Sequence, residues 1–408
     1  MSDAIAALAR ELGAICTPHA PLALEGAQLE ATLRPRSEVE CAAVLAALSR
    51  AKLGALITGG GTKLAAANAP CRARVRLDTT ALRDASEIDL DEGVARFGAG
   101  ETLAEIETQL AGSIWQLPLD APGASGTLGG VLASAALGPR FGHPRDVVLG
   151  LRVALASGEL VKTGGRVVKN VTGYDLGKLF VGSNGALGVI TAAWLRLRPR
   201  AERVETLIAP APGDAALSLA AVRAPSARVA ALVDDALAPE LSALARAPRS
   251  LAIELAGDDA AVAADRAALL AKLGAAPAPA DVVARLREIQ GSGEIRLRVA
   301  VLPTGLDAAC RALAVAGART LAFPARGIAY AFFAGSANDA AFGAQLSAVT
   351  DAARGAGGAW KLEAAPLALR SGREVLGDRG GALPLQCAVK RAYDPGNVLN
   401  PGRGFGEP

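Results

Sequence analysis

Three glycine-dense segments in the first half of a 408-residue chain constrain what it can fold into more than any other feature. The first is Ile57-Thr58-Gly59-Gly60-Gly61-Thr62-Lys63, and the second is Ala121-Pro122-Gly123-Ala124-Ser125-Gly126-Thr127-Leu128-Gly129-Gly130. The third is Gly182-Ser183-Asn184-Gly185-Ala186-Leu187-Gly188-Val189-Ile190. Consecutive glycines reach positive φ cheaply and carry no Cβ, so several backbone N–H groups can converge on one anion unobstructed. Each segment alone also has a purely structural reading: a tight turn, a close packing of backbone on backbone, and a helix end followed by a bulge. The common nucleotide motifs are absent, because position 64 is a leucine where G-x-G-x-x-G needs glycine, and no Gly-Lys-Ser/Thr occurs. Three such loops, each joined to a strand or helix terminus, suggest one long ligand touched at several points.

The flanking residues supply those termini. Residues 28–34 alternate as a strand, Ser37-Glu38-Val39-Glu40 matches a capping box for a helix over 41–48, and residues 53–58 read as the returning strand. Residues 28–62 therefore predict a βαβ unit that ends in the first glycine cluster. Residues 93–98 predict a strand leading to a helix capped by Thr102 with Glu105, and residues 147–155 and 159–163 predict a hairpin. A strand over 189–197 closes at Pro199, and Pro210, Pro212 and Gly213 read as linker punctuation, which puts a boundary near residue 200.

Beyond it, apolar strands at 229–233, 251–255, 295–302 and 328–333 alternate with Ala-rich helical stretches, the pattern of a second α+β domain. The terminal stretch 385–405 joins a short helix to a doubled turn signal, Asp394-Pro395-Gly396-Asn397 and Asn400-Pro401-Gly402. The expected domains are residues 1–200, 201–380 and a C-terminal segment 381–408. A chain this long exceeds one hydrophobic core, and 51% apolar with 20% charged residues is the balance of a folded protein.

Composition also narrows the partners. A formal charge of +3 with scattered Lys and Arg offers no stripe for a phosphate backbone, so no nucleic acid is expected. Asp3, Arg10 and Glu11 interrupt the apolar N-terminal residues, which fits an amphipathic helix rather than a leader, and implies a cytoplasmic protein. Residues 126–138 are too few and too glycine-rich to span a bilayer. Cys16, Cys41, Cys71, Cys310 and Cys387 lie far apart without a C-x-x-C pair, so no disulfide framework, zinc site or iron–sulfur site is expected.

The order of motifs is that of a known family. Gly59-Gly60-Gly61-Thr62, Pro122-Gly123 with Thr127-Leu128-Gly129-Gly130, Arg145 to Gly150, Lys169-Asn170-Val171-Thr172-Gly173-Tyr174-Asp175-Leu176 and Gly182 to Ile190 together resemble an FAD-binding domain. That domain is the p-cresol-methylhydroxylase (PCMH) type, vanillyl-alcohol-oxidase-like, and the resemblance spans residues 28–199. The fold it implies is α+β, with a PCMH-type FAD-binding domain, a second α+β cap domain and a terminal segment returning to the flavin.

By position, the resemblance implies that Thr58, Gly59, Gly60, Gly61, Thr62 and Lys63 surround the pyrophosphate. Pro122, Gly123, Ser125, Thr127 and Gly130 would line the ribityl chain and isoalloxazine. Gly185, Gly188 and Ile190 would approach the adenosine side with backbone groups, and Asn400 the flavin ring. Lys169 and Tyr174 would sit beside the flavin; otherwise Tyr174 packs and Asp175 caps a helix. Relatives that attach FAD covalently use His or Cys; neither His19 nor His143 matches, which implies non-covalent FAD and no metal.

Oxidising a 2-hydroxy acid needs a cation for the carboxylate, a base or metal for the hydroxyl proton, and a flavin for hydride. Members of the family that act alone carry histidines in the second domain, and no histidine follows His143 here. Trp360-Lys361-Leu362-Glu363-Ala364-Ala365-Pro366, Gly377-Asp378 and Asn400-Pro401-Gly402-Arg403 resemble the FAD-binding E subunit of bacterial glycolate oxidases. The resemblance implies an FAD-containing catalytic D-type subunit and an iron–sulfur F-type subunit as partners, and glycolate oxidised to glyoxylate in a complex that can sit peripherally at the inner membrane. No catalytic residue is assigned. Two alternatives stay open: an FAD-binding assembly subunit, or a stand-alone D-2-hydroxy-acid dehydrogenase that holds substrate with Arg326, Arg370 or Arg373, arginines otherwise expected as solvated surface charges.

Overall fold

The structure is a computed structural model, and it describes residues 2–83, 86–122, 126–166, 174–211, 223–241, 249–335, 338–377 and 380–403. After a helix over Asp3–Leu12, β1 (Cys16–Leu24) and β2 (Ala27–Leu33) form a hairpin. β2 alternates as its sequence predicts, burying Ala27, Leu29, Ala31 and Leu33. Ser37 Oγ then accepts from Glu40 N at 3.2 Å and starts the helix Glu38–Ala51, but the Glu40 carboxylate turns to Arg36 N at 2.7 Å, so the expected capping box is half formed. The helix returns the chain to β3 (Gly54–Thr58), parallel to β2 as a βαβ unit requires. An unanticipated strand, β4 (Ala73–Asp78), lies between them, and the sheet order is β1-β2-β4-β3.

A second sheet uses β5 (Glu87–Asp89), β6 (Val94–Gly98), β8 (Val148–Ala154), β9 (Leu160–Gly164) and β10 (Val189–Arg196), in the antiparallel order β5-β6-β10-β8-β9. The short strands β7 (Trp115–Gln116) and β11 (Arg198–Pro199) pair with each other alongside. β8 and β9 are the predicted hairpin, and β10, paired on its two edges with β6 and β8 and contacted by the helices Glu38–Ala51 and Leu128–Ser134, is buried along most of its length. Thr102 and Glu105 close a full capping box on the helix Leu103–Gln109.

The remaining strands build one eight-stranded antiparallel sheet. They are β12 (Arg203–Pro210), β13 (Ala227–Asp234), β14 (Arg249–Gly257), β15 (Ala276–Pro277), β16 (Ile295–Ala300), β17 (Arg319–Phe323), β18 (Ile328–Phe333) and β19 (Ala359–Ala364), in the order β15-β12-β14-β13-β17-β18-β16-β19. Pro210, expected as linker punctuation, instead ends β12 opposite Ser250. Leu251, Ile253, Ile295, Leu297, Val299 and Leu362 pack one face against the helices Asp259–Leu273, Leu306–Val315 and Asp339–Gly355. The strand period of two then forces Glu254, Arg296, Arg298, Tyr330, Lys361 and Glu363 onto the other face.

That second face meets the glycine-bearing unit. Glu254, 1% exposed, accepts from Arg140 Nη2 at 2.8 Å and Nε at 3.1 Å. Gln290 Nε2 donates to Leu137 O at 2.5 Å, and Arg326 donates to Gly138 O at 2.6 Å and Pro139 O at 2.7 Å. The segment 137–140 is thus clasped by β14, by the helix Val282–Gly291 and by the turn Pro324–Arg326, with charge-assisted bonds from Arg140 and Arg326.

The C-terminal helix Ala382–Tyr393 leads the chain back to β3. Ala55 N donates to Val398 O at 2.8 Å and Asn400 N to Ala55 O at 3.0 Å, so the terminal segment covers the free edge of the first sheet. The buried Lys390 and Asp394 fix the approach: Lys390 Nζ donates to Asp394 Oδ2 at 2.6 Å, Ala186 O at 3.0 Å and Leu399 O at 2.9 Å. Asp394 in turn accepts from the backbone N–H groups of Val398 and Leu399.

Candidate functional site

The glycine segments meet through specific contacts. A Cβ built on Gly59 would stand 2.2 Å from Thr127 Oγ1, so the first and second segments are in direct contact at a position only glycine allows. Gly182 N and Asn184 N donate to Leu132 O at 2.9 Å and Ala133 O at 2.7 Å, tying the third segment to the helix Leu128–Ser134 that follows the second. Asn400 joins the third segment to the first: its Nδ2 donates to Asn184 O at 2.6 Å and its Oδ1 accepts from Ile57 N at 2.8 Å.

These contacts frame an open cleft lined by Ile57, Gly59, Gly60, Gly61, Thr62, Lys63, Thr127, Gly130, Ala133, Ser134, Asn184, Asn400 and Arg403. The charged side chains in this lining are both cationic. Lys63 Nζ donates to Pro122 O at 2.7 Å, and its pKa falls to about 8: burial drives it down, Glu363 opposes, and Arg296 and Lys361 add to the fall. Arg403 is 4% exposed and drops to about 10 through burial, with a further push from Arg370. Arg403 Nη2 donates to Leu64 O at 2.7 Å, whereas Nη1 is buried without a hydrogen-bond partner among the described residues. A desolvated guanidinium nitrogen left in this state is costly, and an anion in the cleft would relieve it.

Several expected site residues lie elsewhere. Thr58 is buried beneath the loop, and its Oγ1 accepts from Arg76 Nε at 2.8 Å. Gly185 stands behind the cleft, where a Cβ would meet Asn400 Nδ2 at 2.9 Å. Gly188 packs against Val153, 2.5 Å from its would-be Cβ, and Ile190 is a core residue 5% exposed; neither lines the cleft. Tyr174 is 96% exposed among the described residues, and Asp175 pairs with Lys178 at 3.2 Å, whereas the helix Gly177–Phe180 has no side-chain cap among them. Gly123, Ser125 and Lys169 fall outside the described residues.

The arginines expected at the surface are engaged instead. Arg370 is 1% exposed, pairs with Glu25 and donates to Ala67 O and Ala365 O. Arg326 holds the segment 138–139 and lies over the Phe323 ring at 5.4 Å, and Arg373 pairs with Asp339 at 2.7 Å. Arg403, Asn184, Ala133 and Ser134 were not singled out from sequence. The Asn400-Pro401-Gly402-Arg403 turn held the signal for Arg403, since a turn that brings Asn400 to the cleft brings its neighbour too.

The fold is that of the PCMH-type flavoproteins. A solved structure of p-cresol methylhydroxylase with substrate bound superposes with a TM-score of 0.75 at 16% identity, covering 98% of this chain and 96% of that one. Residues 29–164 match the family described as FAD binding domain, which makes FAD the cofactor.

Within that class, the chain is 33% identical over 183 residues to D-lactate dehydrogenase of Archaeoglobus fulgidus, covering 44% of this chain and 41% of that protein. It is 40% identical over 129 residues to glycolate oxidase subunit GlcE of Escherichia coli, covering 30% of this chain and 37% of that one. The chain thus matches about two fifths of the length of these curated relatives. The residues present fit FAD: a cradle that a Cβ would fill, two cations, and an unpartnered buried guanidinium nitrogen suit a diphosphate. Among the described residues, no helix is long and apolar enough to cross a membrane, and no group of three His, Cys, Asp or Glu side chains could hold a metal ion.

Proposed function

We propose that this chain is an FAD-dependent oxidoreductase subunit acting on 2-hydroxy acids, with glycolate oxidised to glyoxylate in a complex that passes electrons to an iron–sulfur partner. The observation that carries the reading is the convergence of three glycine segments and the Asn400–Arg403 turn on one cationic cleft. When bound, FAD supplies a two-electron acceptor for the C–H bond of the hydroxy acid. The protein's own part is to hold it. Gly59 to Lys63, Thr127 and Gly130 present the cradle; Lys63 and Arg403 neutralise the diphosphate; Asn400 ties the third segment to the first. Neither His19 nor His143 lines the cleft, in keeping with a non-covalent cofactor.

In this reading the FAD-binding domain ends near residue 200, the eight-stranded sheet with its helices forms the cap over 201–380, and residues 381–408 return to the flavin. The chain works in the cytoplasm, held at the inner membrane only through its partners. The likeness to glycolate oxidase subunit GlcE supports a complex containing a D-type catalytic subunit, and the likeness to D-lactate dehydrogenase supports the 2-hydroxy-acid class. A second reading, a chain that oxidises its substrate unaided, is favoured by the charged face of the cap sheet.

The test is to purify the chain, record its flavin spectrum and add glycolate or D-lactate anaerobically. Bleaching only after reconstitution with partner subunits supports the first reading, bleaching of the isolated chain the second. A folded chain that binds no flavin overturns both.

A further inference from the structure

Arg370 is the bulkiest fully buried side chain among the described residues, yet it belongs neither to the lining of the flavin cleft nor to the apolar core. It ends the short helix Leu367–Arg370 that follows β19, and its guanidinium spans three segments. Nε donates to Ala365 O at 3.1 Å, Nη1 donates to Ala67 O at 2.5 Å, and Nη2 pairs with the Glu25 carboxylate in the β1–β2 turn. That turn is shaped to receive it: Glu25 and Gly26 take φ of 54° and 87°, and a Cβ on Gly26 would stand 3.2 Å from Leu367 Cδ2.

Burial lowers the pKa of Arg370, so its partners hold the charge in place against the loss of hydration. A position whose only task was packing would be served as well by an apolar side chain of similar volume. What the guanidinium does that an apolar side chain cannot is hold Ala67 O.

Ala67 closes the single turn Leu64–Ala66, through which the chain leaves the first glycine segment after Lys63. Leu64 O, at the start of that turn, accepts from Arg403 Nη2 at 2.7 Å, and Ala67 O, at its end, accepts from Arg370. Two buried guanidiniums thus grip the two ends of one turn, one from the terminal segment and one from the segment after β19. They stand close enough that the field of Arg370 acts on Arg403, and β19 itself packs against the same turn. Where the clasp on residues 137–140 acts beyond the second glycine segment, Arg370 acts on the exit of the first.

We propose that Arg370 is a positioning residue, a strut that ties the exit of the glycine loop to the segment after β19, so that diphosphate binding and the docking of residues 365–370 reinforce each other. The proposal rests on the flavin reading for the identity of the ligand. Its physical ground is preorganisation. Amides of consecutive glycines bind an anion well only if they already point at it, and glycines have no side chains with which to fix themselves. The order must come from anchors outside the loop: Lys63 on Pro122 O, Arg403 on Leu64 O and Arg370 on Ala67 O. Linkage makes the effect reciprocal, because whatever Arg370 adds to diphosphate affinity the diphosphate returns to the docking of residues 365–370.

The probes are FAD and ADP-ribose, which carries the adenosine and diphosphate of FAD without the flavin ring. Either ligand should slow amide hydrogen exchange at residues 365–370 of the full chain. Arg370→Met should abolish that slowing and weaken both ligands roughly tenfold, an ordinary coupling between sites. The single variant strands the Glu25 carboxylate, so its thermal midpoint should fall; adding Glu25→Gln removes the stranded charge and should restore most of the midpoint but none of the affinity. A packing role predicts instead that affinity recovers together with stability, and if Arg370→Met does not fold, the double variant carries the comparison. A parent chain that binds FAD without slower exchange at residues 365–370, or a double variant with parental FAD affinity, overturns the strut and leaves the flavin reading intact. A folded parent chain that binds neither ligand overturns the flavin reading and the strut with it.

Discussion

Asn400 and Ile57 are separated by 343 positions, yet Asn400 Oδ1 accepts the Ile57 N–H at 2.8 Å while its Nδ2 reaches Asn184 O at 2.6 Å. One amide therefore couples the end of β3, the third glycine segment and the terminal turn. It does so from φ 46°, a left-handed conformation that asparagine tolerates better than most residues. Asn400→Ala leaves two partly buried backbone groups without partners and should cost about 1–3 kcal/mol. Thermal unfolding should show a lower midpoint, and the stabilisation conferred by added FAD should shrink with it. An unchanged midpoint together with full FAD stabilisation would remove Asn400 from the site.

Gly59→Ala tests the cradle from the other side. Its Cβ would overlap Thr127 Oγ1, the cap that accepts Gly130 N at 3.3 Å. The overlap can be relieved only by moving the loop or by giving up the cap, for about 1–3 kcal/mol of overpacking. We expect a folded protein with lower stability and no flavin colour after purification. Gly61→Ala meets only Leu64 Cδ1 at 3.9 Å, but the φ of +76° strains it, so it should fall between the parent and Gly59→Ala.

Much of this was legible in the chain. The glycine segments, the Thr102–Glu105 cap and the β8–β9 hairpin are local signals, and local signals survive folding. What was missed depends on neighbours distant in sequence. β4 inserts between β2 and β3 because three parallel strands share one core, a choice of order that no single strand encodes. Gly188 and Ile190 read as ligand contacts because glycine next to a strand can serve a ligand or another strand, and here Val153 takes that space. Arg298, Lys361 and Glu363 alternate with apolar residues at period two, but opposite-facing charge on an interior sheet becomes informative only when the covering unit is known.

Lys63 should make flavin affinity depend on pH. Its folded pKa of about 8 lies below the ordinary lysine value because burial, with help from Arg296 and Lys361, disfavours the ammonium against the pull of Glu363. Above that pH the free protein carries mostly neutral Lys63, and a diphosphate must recruit a proton to bind well. Affinity for FAD should therefore decline as pH rises past about 8, by at most about tenfold per unit, and Lys63→Met should flatten the decline. The stability of the flavin-free chain moves the opposite way. Between the folded value and the unfolded one the unfolded chain binds more protons, so this lysine's penalty fades as pH rises. Flavin titrations at pH 7 to 9.5 on parent and variant check the first effect, and denaturant midpoints over the same range check the second.

Arg403 provides the sharpest separation of stability from function. Burial has lowered its pKa to about 10, and Nη1 has no partner among the described residues, so in the empty cleft this guanidinium is held at a cost. The bond from Nη2 to Leu64 O at 2.7 Å returns only part of that cost. Arg403→Met keeps much of the aliphatic stem, removes the desolvated charge, and should melt no lower than the parent when flavin is absent. With flavin the order should reverse: the variant loses a charge-assisted bond to the diphosphate and with it roughly tenfold to a hundredfold in FAD affinity. Paired melting curves with and without FAD decide the matter. A variant that is less stable without flavin and equally stabilised by it would make Arg403 a packing residue, and the cleft would have to find its anion contact elsewhere.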